Sequence, residues 1–350
     1  MFIRASGQTF PIWTNERKMN KSSFTCENET VSDIKEYQRY TYAVIYTVIL
    51  VPGLISNVLA LWVFHAYVKE TKKAVIFMIN LAIADLLQVL SLPLRIYYYL
   101  NKSWPFGHTL CMFCFYLKYV NMYASIYFLV CISVRRCLLI IYPLRYSMTK
   151  RRLDRSWCTA GWFIVCVGCL PFPLLRKDPS APNTCFSELP MMNLTIGSGV
   201  TLVTVAELTG FVLPLAVVLT CTWLTAASLR EKNCVLQDAG EKRKALKMVL
   251  SCACVFLVCF MPYHITFPLD FLAKSNRVNC TFRSAVQRSH PITLCLASLN
   301  SCLDPVMYYF TTDEFKRRLS RPELAESLHM QRRISCTTTE ATALHSEQEE

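Results

Sequence analysis

The chain has 350 residues, 53% of them hydrophobic and only 17% charged, with a mean hydropathy of +0.30 and a formal net charge of +13. That balance excludes an ordinary soluble domain. The basic residues flank apolar runs and form no separate nucleic-acid-binding segment, so membrane orientation explains them better. The 18 cysteines show no paired CxxC zinc spacing, and most lie inside apolar runs as small hydrophobes.

Residues 1–40 read as a polar extracellular tail with no apolar core of a cleavable signal, and both Met1 and Met19 are possible starts. Runs long enough to cross about 30 Å of hydrocarbon then recur at about 41–66, 74–100, 109–140, 154–175, 198–229, 242–272 and 287–310. The expected fold is an all-α membrane protein, a seven-transmembrane helix bundle over 41–310 with a short amphipathic eighth helix over 311–320. A polar cytoplasmic tail over 321–350 is expected to be disordered. The third run, Cys111 to Pro143, is the central rod. Helical rise sets Cys111 and Arg136 about 37 Å apart, which puts a cysteine at one face and the Arg135-Arg136 pair at the other.

Prolines at 52, 93, 171, 214, 262 and 305 interrupt the helices, and Pro262 and Pro305 are expected to act as hinges. The glycosylation sequons at Asn20, Asn28, Asn101, Asn193 and Asn279 fall on one side of seven crossings. The opposite loops carry Lys69, Lys72, Lys73, Arg145, Lys150, Arg151, Arg152, Lys242, Arg243, Lys244, Lys316, Arg317 and Arg318. Both patterns predict a multi-pass plasma-membrane protein with its N-terminus outside.

An ordered set of motifs resembles the rhodopsin-like (class A) family of G-protein-coupled receptors: Asn57 in GLISN, Asp85 in LAIAD, Trp104-Pro-Phe-Gly, Trp162, Pro214, Cys259-Phe-Met-Pro262 and Asp304-Pro-Val-Met-Tyr308. Runs such as AVIFMINLAIADLLQVLSLPLRIYYYLN and LCLASLNSCLDPVMYYF are similar to its purinergic-receptor-like branch, and within it to the lysophosphatidylserine receptors. The resemblance implies a Cys111–Cys185 disulfide, and extracellular placement permits a second between Cys26 and Cys280. It implies a pocket for an allosteric sodium ion at Asp85, Ser125, Asn300, Ser301 and Asp304; the alternative is a protonated Asp85 bonded to Asn57 and Ser301. It also implies a G-protein face at Arg135, Arg136, Pro143, Lys242, Lys247 and Tyr308, with a packing switch at Phe256 and Phe260 above Pro262. Two departures stand out. Arg135-Arg136-Cys137 lacks the acidic neighbour that restrains the family's arginine, which points to raised basal activity, and Phe260 occupies the helix-six tryptophan position.

At the sensing end, Lys118 falls about 10 Å below the outer boundary by helical rise, where amine receptors of the family carry an aspartate. Arg95, Arg176, Lys274 and Arg288 add positive charge, and buried cations usually face a cavity. Together they predict an anionic headgroup, a phosphate above all. Solvated-loop and snorkelling readings remain open for Arg176, Lys274, Arg288 and Lys118. Tyr99, Tyr119, Tyr123, Tyr263 and His264 are expected to line the cavity, and Glu207 either pairs with a cavity cation or receives a headgroup ammonium.

No HExxH, GxSxG or phosphate-binding glycine loop indicates an enzyme, and residues 291–310 offer no lysine for a retinal. The expected partners are an anionic lysophospholipid, a heterotrimeric G protein, arrestin, receptor kinases and membrane lipids, with no nucleic acid. The alternatives are a nucleotide-activated receptor and, in another class, a seven-helix transporter.

Overall fold

The computed structural model describes residues 21–68, 75–143, 151–176, 183–186, 196–229, 236–273 and 280–311. The expected eighth helix, the C-terminal tail, Lys274 and the sequons at Asn20, Asn193 and Asn279 lie outside the described residues, as do the side chains of Cys26, Asn28 and Cys280.

Seven helical spans form the bundle. Span one is Lys21–Val68, span two Val75–Asn101 and span three His108–Ile141. Span four is Arg151–Cys169, followed by the short turn Pro171–Leu174. Span five joins Ile196–Glu207, Leu208–Val212 and Leu213–Leu229; span six joins Leu236–Val255, Phe256–Phe260 and Met261–Ala273; span seven is Cys280–Thr311. Six of them carry apolar stretches long enough to cross a bilayer. Span seven is more polar because Ser298, Asn300, Ser301 and Asp304 are turned inward and buried.

Two boundaries differ from the sequence reading. Span one starts at Lys21 and so runs through half of the expected tail, with Asp33–His65 as its apolar crossing part. Its polar turns hold helical geometry, and Arg39 pairs with Glu36 at 3.2 Å. Span seven likewise starts at Cys280, a full two turns before its apolar run.

Spans five and six each widen into a π-helical turn just before a proline: Leu208–Val212 before Pro214 and Phe256–Phe260 before Pro262. A proline ring collides with the carbonyl four residues back and offers no N–H, and one wide turn absorbs both defects.

The polar centre sets the register of four spans. Asp85 Oδ1 accepts hydrogen bonds from Asn121 Nδ2 (3.1 Å), Asn300 Nδ2 (3.2 Å) and Ser301 Oγ (3.3 Å). Asn300 Nδ2 also reaches Ser125 Oγ at 2.8 Å, and Asn57 Nδ2 donates to the backbone oxygens of Gly53 and Ser301. Trp162 Nε1 donates to Asn80 Oδ1 at 2.8 Å, which fastens span four to span two.

At one end the Cys111–Cys185 disulfide is formed, with a Cα–Cα distance of 5.8 Å. The Trp104 indole donates to the Gly107 oxygen at 2.7 Å, and its backbone N–H to the Asn183 oxygen at 2.8 Å, so the WPFG turn clasps the disulfide loop. Gly107 has φ 80°, a conformation only glycine adopts at little cost.

At the opposite end spans three and six are closed on each other. Arg136 Nε lies 2.8 Å from Met248 Sδ, and Cys252 Sγ lies 3.6 Å from Met307 Sδ. Arg135 departs from its expected place on the G-protein face. It is buried and pairs with the equally buried Asp154 of span four at 3.5 Å. The acidic partner missing next to Arg136 in sequence is thus supplied from another helix, to the neighbouring arginine.

Removing one member of a buried ion pair leaves the other charge unanswered. Asp154→Ala should therefore lower the thermal stability of the detergent-solubilised protein by about 3 kcal/mol, read by a thiol-independent melting assay. Arg135→Met combined with Asp154→Leu should recover most of that loss; a double variant as unstable as the single one would assign the loss to something else.

Candidate ligand-binding site

Two hollows adjoin at Gly168, Phe172 and Ala206; the outer lies towards the disulfide end, and the second runs from there deeper into the bundle. The outer one, about 150 Å³, is lined by Tyr119, Arg176, Phe267, Asp270 and His290, among others. The second, about 240 Å³, is a lateral cleft between spans three, four and five, walled by Tyr123, Ile126, Val130, Val165, Cys169 and Pro214. Its chemistry is almost wholly apolar. A much smaller hollow of about 10 Å³ lies beyond Tyr119, bounded by Lys118, Asn121, Leu294 and Ser298.

Small residues make this space. A Cβ on Gly210 would fall 2.5 Å from Tyr123 Cε1, and one on Gly199 would fall 2.5 Å from the Phe271 ring. Aromatic stacking fixes the dividing wall. Phe172 lies flat on Tyr119, with centroids 4.0 Å apart and planes 5° apart, and 6.1 Å from Tyr123.

The expected cationic cup is rearranged. Arg95 lines neither large hollow. Its side chain is buried, donates to the Cys114 carbonyl and to Ser91 Oγ, and lies under the Phe186 ring at 4.8 Å. Phe186, which the sequence reading missed, holds a φ of 57°, costly for a bulky side chain. The adjacent disulfide and edge contacts with Tyr98 and Trp104, both 5.3 Å, keep it there. Tyr99 is likewise taken up by packing, stacked on Tyr42 at 4.8 Å and on Phe186 at 5.9 Å.

Lys118 is buried and faces the small hollow, its ammonium 5.4 Å from the Tyr42 ring centre. Among the described residues no carboxylate pairs with it, and the charges of Arg95 and Arg176 both act on it. Arg176 is the expected cation that does line the outer hollow, its guanidinium 4.9 Å over the Phe115 ring. Arg288 is exposed on span seven and lines none of these three hollows. Asp270 and His290 were not singled out in the sequence. The spacing that would have found Asp270 is its place three residues after Phe267, on the same face of span six.

Glu207 pairs internally. Both its carboxylate oxygens lie 3.1 Å from His264 Nδ1. His264 is stacked on Phe211 at 4.5 Å, with Tyr263 at 5.2 Å and Tyr123 at 5.9 Å. Phe211 in turn stacks on Phe256 at 5.6 Å, and Phe256 meets Phe260 at 5.8 Å. A continuous aromatic path therefore leads from the hollows to the two expected switch residues above Pro262.

The polar centre is over-supplied with acceptors. Asp85 Oδ2, both Asp304 carboxylate oxygens and the amide oxygens of Asn57 and Asn300 are buried and receive no hydrogen bond. Two carboxylates in apolar surroundings require a cation or a shared proton, and an all-oxygen donor set fits a hard cation such as sodium. Tyr308, from the expected coupling face, is buried, with its hydroxyl 3.4 Å from the Met78 carbonyl oxygen. Pro143 and Lys247 are exposed, and Lys242 lies 3.5 Å from the Ser228 oxygen.

A bundle of this connectivity, with its disulfide, its polar centre and a hollow at the disulfide end, defines a seven-helix receptor. Residues 56–308 match the family model described as 7 transmembrane receptor (rhodopsin family). The chain belongs to that family, a class of plasma-membrane receptors and not of enzymes. It is 60% identical over 312 residues to the mouse "Probable G-protein coupled receptor 174", covering 88% of this chain and 93% of the relative. It is 47% identical over 293 residues to a human protein named as a putative purinoceptor, covering 83% and 86%. It is 37% identical over 282 residues to the Gallus gallus "Lysophosphatidic acid receptor 6", covering 79% and 91%.

Proposed function

We propose that this receptor is activated by an anionic lysophospholipid, lysophosphatidylserine above all, and signals through a heterotrimeric G protein, with its N-terminus outside the cell. The observation that carries the reading is the junction of a charged hollow with an apolar lateral cleft at Phe172 and Ala206. An amphiphile with one charged head and one chain has that shape. Arg176 would hold the phosphate, with Lys118 adding attraction behind Tyr119, and Asp270 would receive the ammonium of a serine head. A relative named as a lysophosphatidic acid receptor supports a phosphate-bearing lipid. The nucleotide reading draws on the relative named as a purinoceptor, but a nucleotide leaves the lateral cleft without a use.

Closure of Arg136 on Met248 represents the resting arrangement. Activation would swing the inner part of span six about its wide turn at Phe256–Phe260, opening a pocket for the G protein beside Arg136, Lys242, Lys247 and Tyr308. Arrestin and receptor kinases would act on the C-terminal tail. Asp85, Ser125, Asn300, Ser301 and Asp304 would hold a sodium ion that favours the closed state.

In cells expressing matched surface amounts, Arg176→Glu should cost at least about 30-fold in potency for lysophosphatidylserine, the scale set by about two kcal/mol or more for a desolvated charge-assisted contact. Unchanged potency would remove Arg176 from the headgroup site. Asp270→Asn should narrow the preference for lysophosphatidylserine over lysophosphatidic acid by about tenfold, one charge-assisted hydrogen bond's worth. Charge reversal at Arg95 is a poor test, because it also breaks the Cys114 and Ser91 bonds.

For the ion, sodium chloride in place of N-methylglucamine chloride should raise the melting temperature by about 2–4 °C, on the order of 1 kcal/mol. Asp85→Asn should erase that difference; a sodium response that survives it would place the ion elsewhere.

A further inference from the structure

The lysophospholipid reading explains the charged hollow and the apolar cleft but leaves the polar atoms at their junction without a role. His264 Nε2 and the Tyr123 hydroxyl are both buried without a hydrogen-bond partner. They belong to rings 5.9 Å apart, on spans six and three. Tyr123 lines the lateral cleft, and Glu207, which anchors His264, is next in the chain to Ala206, the residue shared by both hollows.

The carboxylate sets the tautomer. Both Glu207 oxygens lie 3.1 Å from Nδ1, so a neutral imidazole here carries its proton on Nδ1 and donates it to the carboxylate. Nε2 is then left with a lone pair and wants an O–H donor. The Tyr123 hydroxyl, one ring away, has a proton to give and needs an acceptor. A single uncharged hydroxyl satisfies both at once: it donates to Nε2 and accepts from Tyr123. An ester oxygen cannot donate, an ammonium cannot accept, and an anion meets the imidazole lone pair and the Glu207 charge behind it.

We infer that Glu207, His264 and Tyr123 form a hydroxyl-reading subsite that recognises the free glycerol hydroxyl of a lysophospholipid, and so separates it from diacyl lipids. This rests on the lysophospholipid reading. The position agrees with the chemistry, because the glycerol is the part of such a lipid that joins head to chain. Both atoms are buried in this structure, with Phe211 stacked on His264 and Phe172 6.1 Å from Tyr123. The hydroxyl reaches them only as the Tyr123 and His264 rings part, which moves span six relative to span three. The ligand thereby gains hydrogen bonds in the parted state that the closed state denies it, the differential contact an agonist requires.

The experiment compares 1-acyl-lysophosphatidylserine with its 2-deoxy analogue on the full-length receptor in cells, for wild type, His264→Phe and Glu207→Gln at matched surface expression. On wild type the hydroxyl-bearing lipid should be more potent by about 10–100-fold, the penalty for leaving polar site atoms unpaired. His264→Phe should bring the two lipids to equal potency, so that the ratio between them is the readout whatever happens to their common potency. Glu207→Gln, which releases the tautomer, should narrow the same ratio. Equal potency of the two lipids on wild type overturns the subsite alone, whatever the variants do, and is also the outcome if water fills the gap. Silence of wild type towards both lipids overturns the lysophospholipid reading and the subsite with it.

Discussion

A carboxylate inside a hydrocarbon slab has to be answered, and the answer to Asp85 organises this bundle. Water solvates an ion by many kcal/mol more than a lipid interior does, so each buried charge must find donors or a counter-ion within the protein. Asp85 recruits Asn121 from span three and Asn300 and Ser301 from span seven, while Asn57 of span one binds the same turn of span seven. Four helices are thereby held at one depth. The apolar packing around them has no such directional demand, because lipid tails and leucines are nearly equivalent neighbours.

The same requirement shapes both ends. At the disulfide end the Arg95 guanidinium is buried, donates to the Cys114 carbonyl and Ser91 Oγ, and lies against the Phe186 ring. At the far end Arg135 finds Asp154, and Arg136 meets the Met248 thioether of span six. A guanidinium leaning on sulfur is held more weakly than one paired with a carboxylate. The inner closure brings Arg136 of span three against Met248 of span six. The aromatic path from His264 through Phe211 to Phe256 and Phe260 crosses both wide turns and ends at that part of span six. Spatial continuity alone does not prove coupling. The wide turns supply the element with two arrangements that coupling needs, because each can tighten to a regular turn and rotate the helix beyond it.

Much of this was legible in the chain. Long apolar runs, prolines and motif order announce the seven spans, and the family resemblance points to Asn300 and Ser301 beside Asp85, though not to Asn121. What could not be read was direction. Arg95 reads as a cation for a ligand because Leu92, Pro93, Leu94 and Ile96 surround it in sequence. That environment equally suits a side chain folded back on a neighbouring helix, and the Cys114 carbonyl has no sequence signature. Arg135 and Asp154 are nineteen positions apart, on helices whose mutual rotation sets whether they meet. Phe186 was invisible for another reason: a positive φ at an aromatic residue comes from the loop being pinned at Cys185, not from local preference.

The choice between a lipid and a nucleotide turns on continuity, not on charge. Either ligand brings phosphate, and Arg176 with Lys118 would attract both. A nucleotide ends in a base, a flat polar ring that requires hydrogen-bond partners around its edge. The space continuing from Arg176 past Phe172 is walled mainly by side chains such as Ile126, Val130, Val165, Cys169 and Pro214, and its few hydroxyls, Tyr123, Tyr127 and Thr209, are too sparse to satisfy the whole of such an edge. Burying an unpaired amide-like group costs on the order of 1–3 kcal/mol for each atom so treated, whereas each methylene of an acyl chain placed there contributes about 0.8 kcal/mol. With the head fixed by the same cations in either case, the sign of the remaining term decides, and it favours the chain.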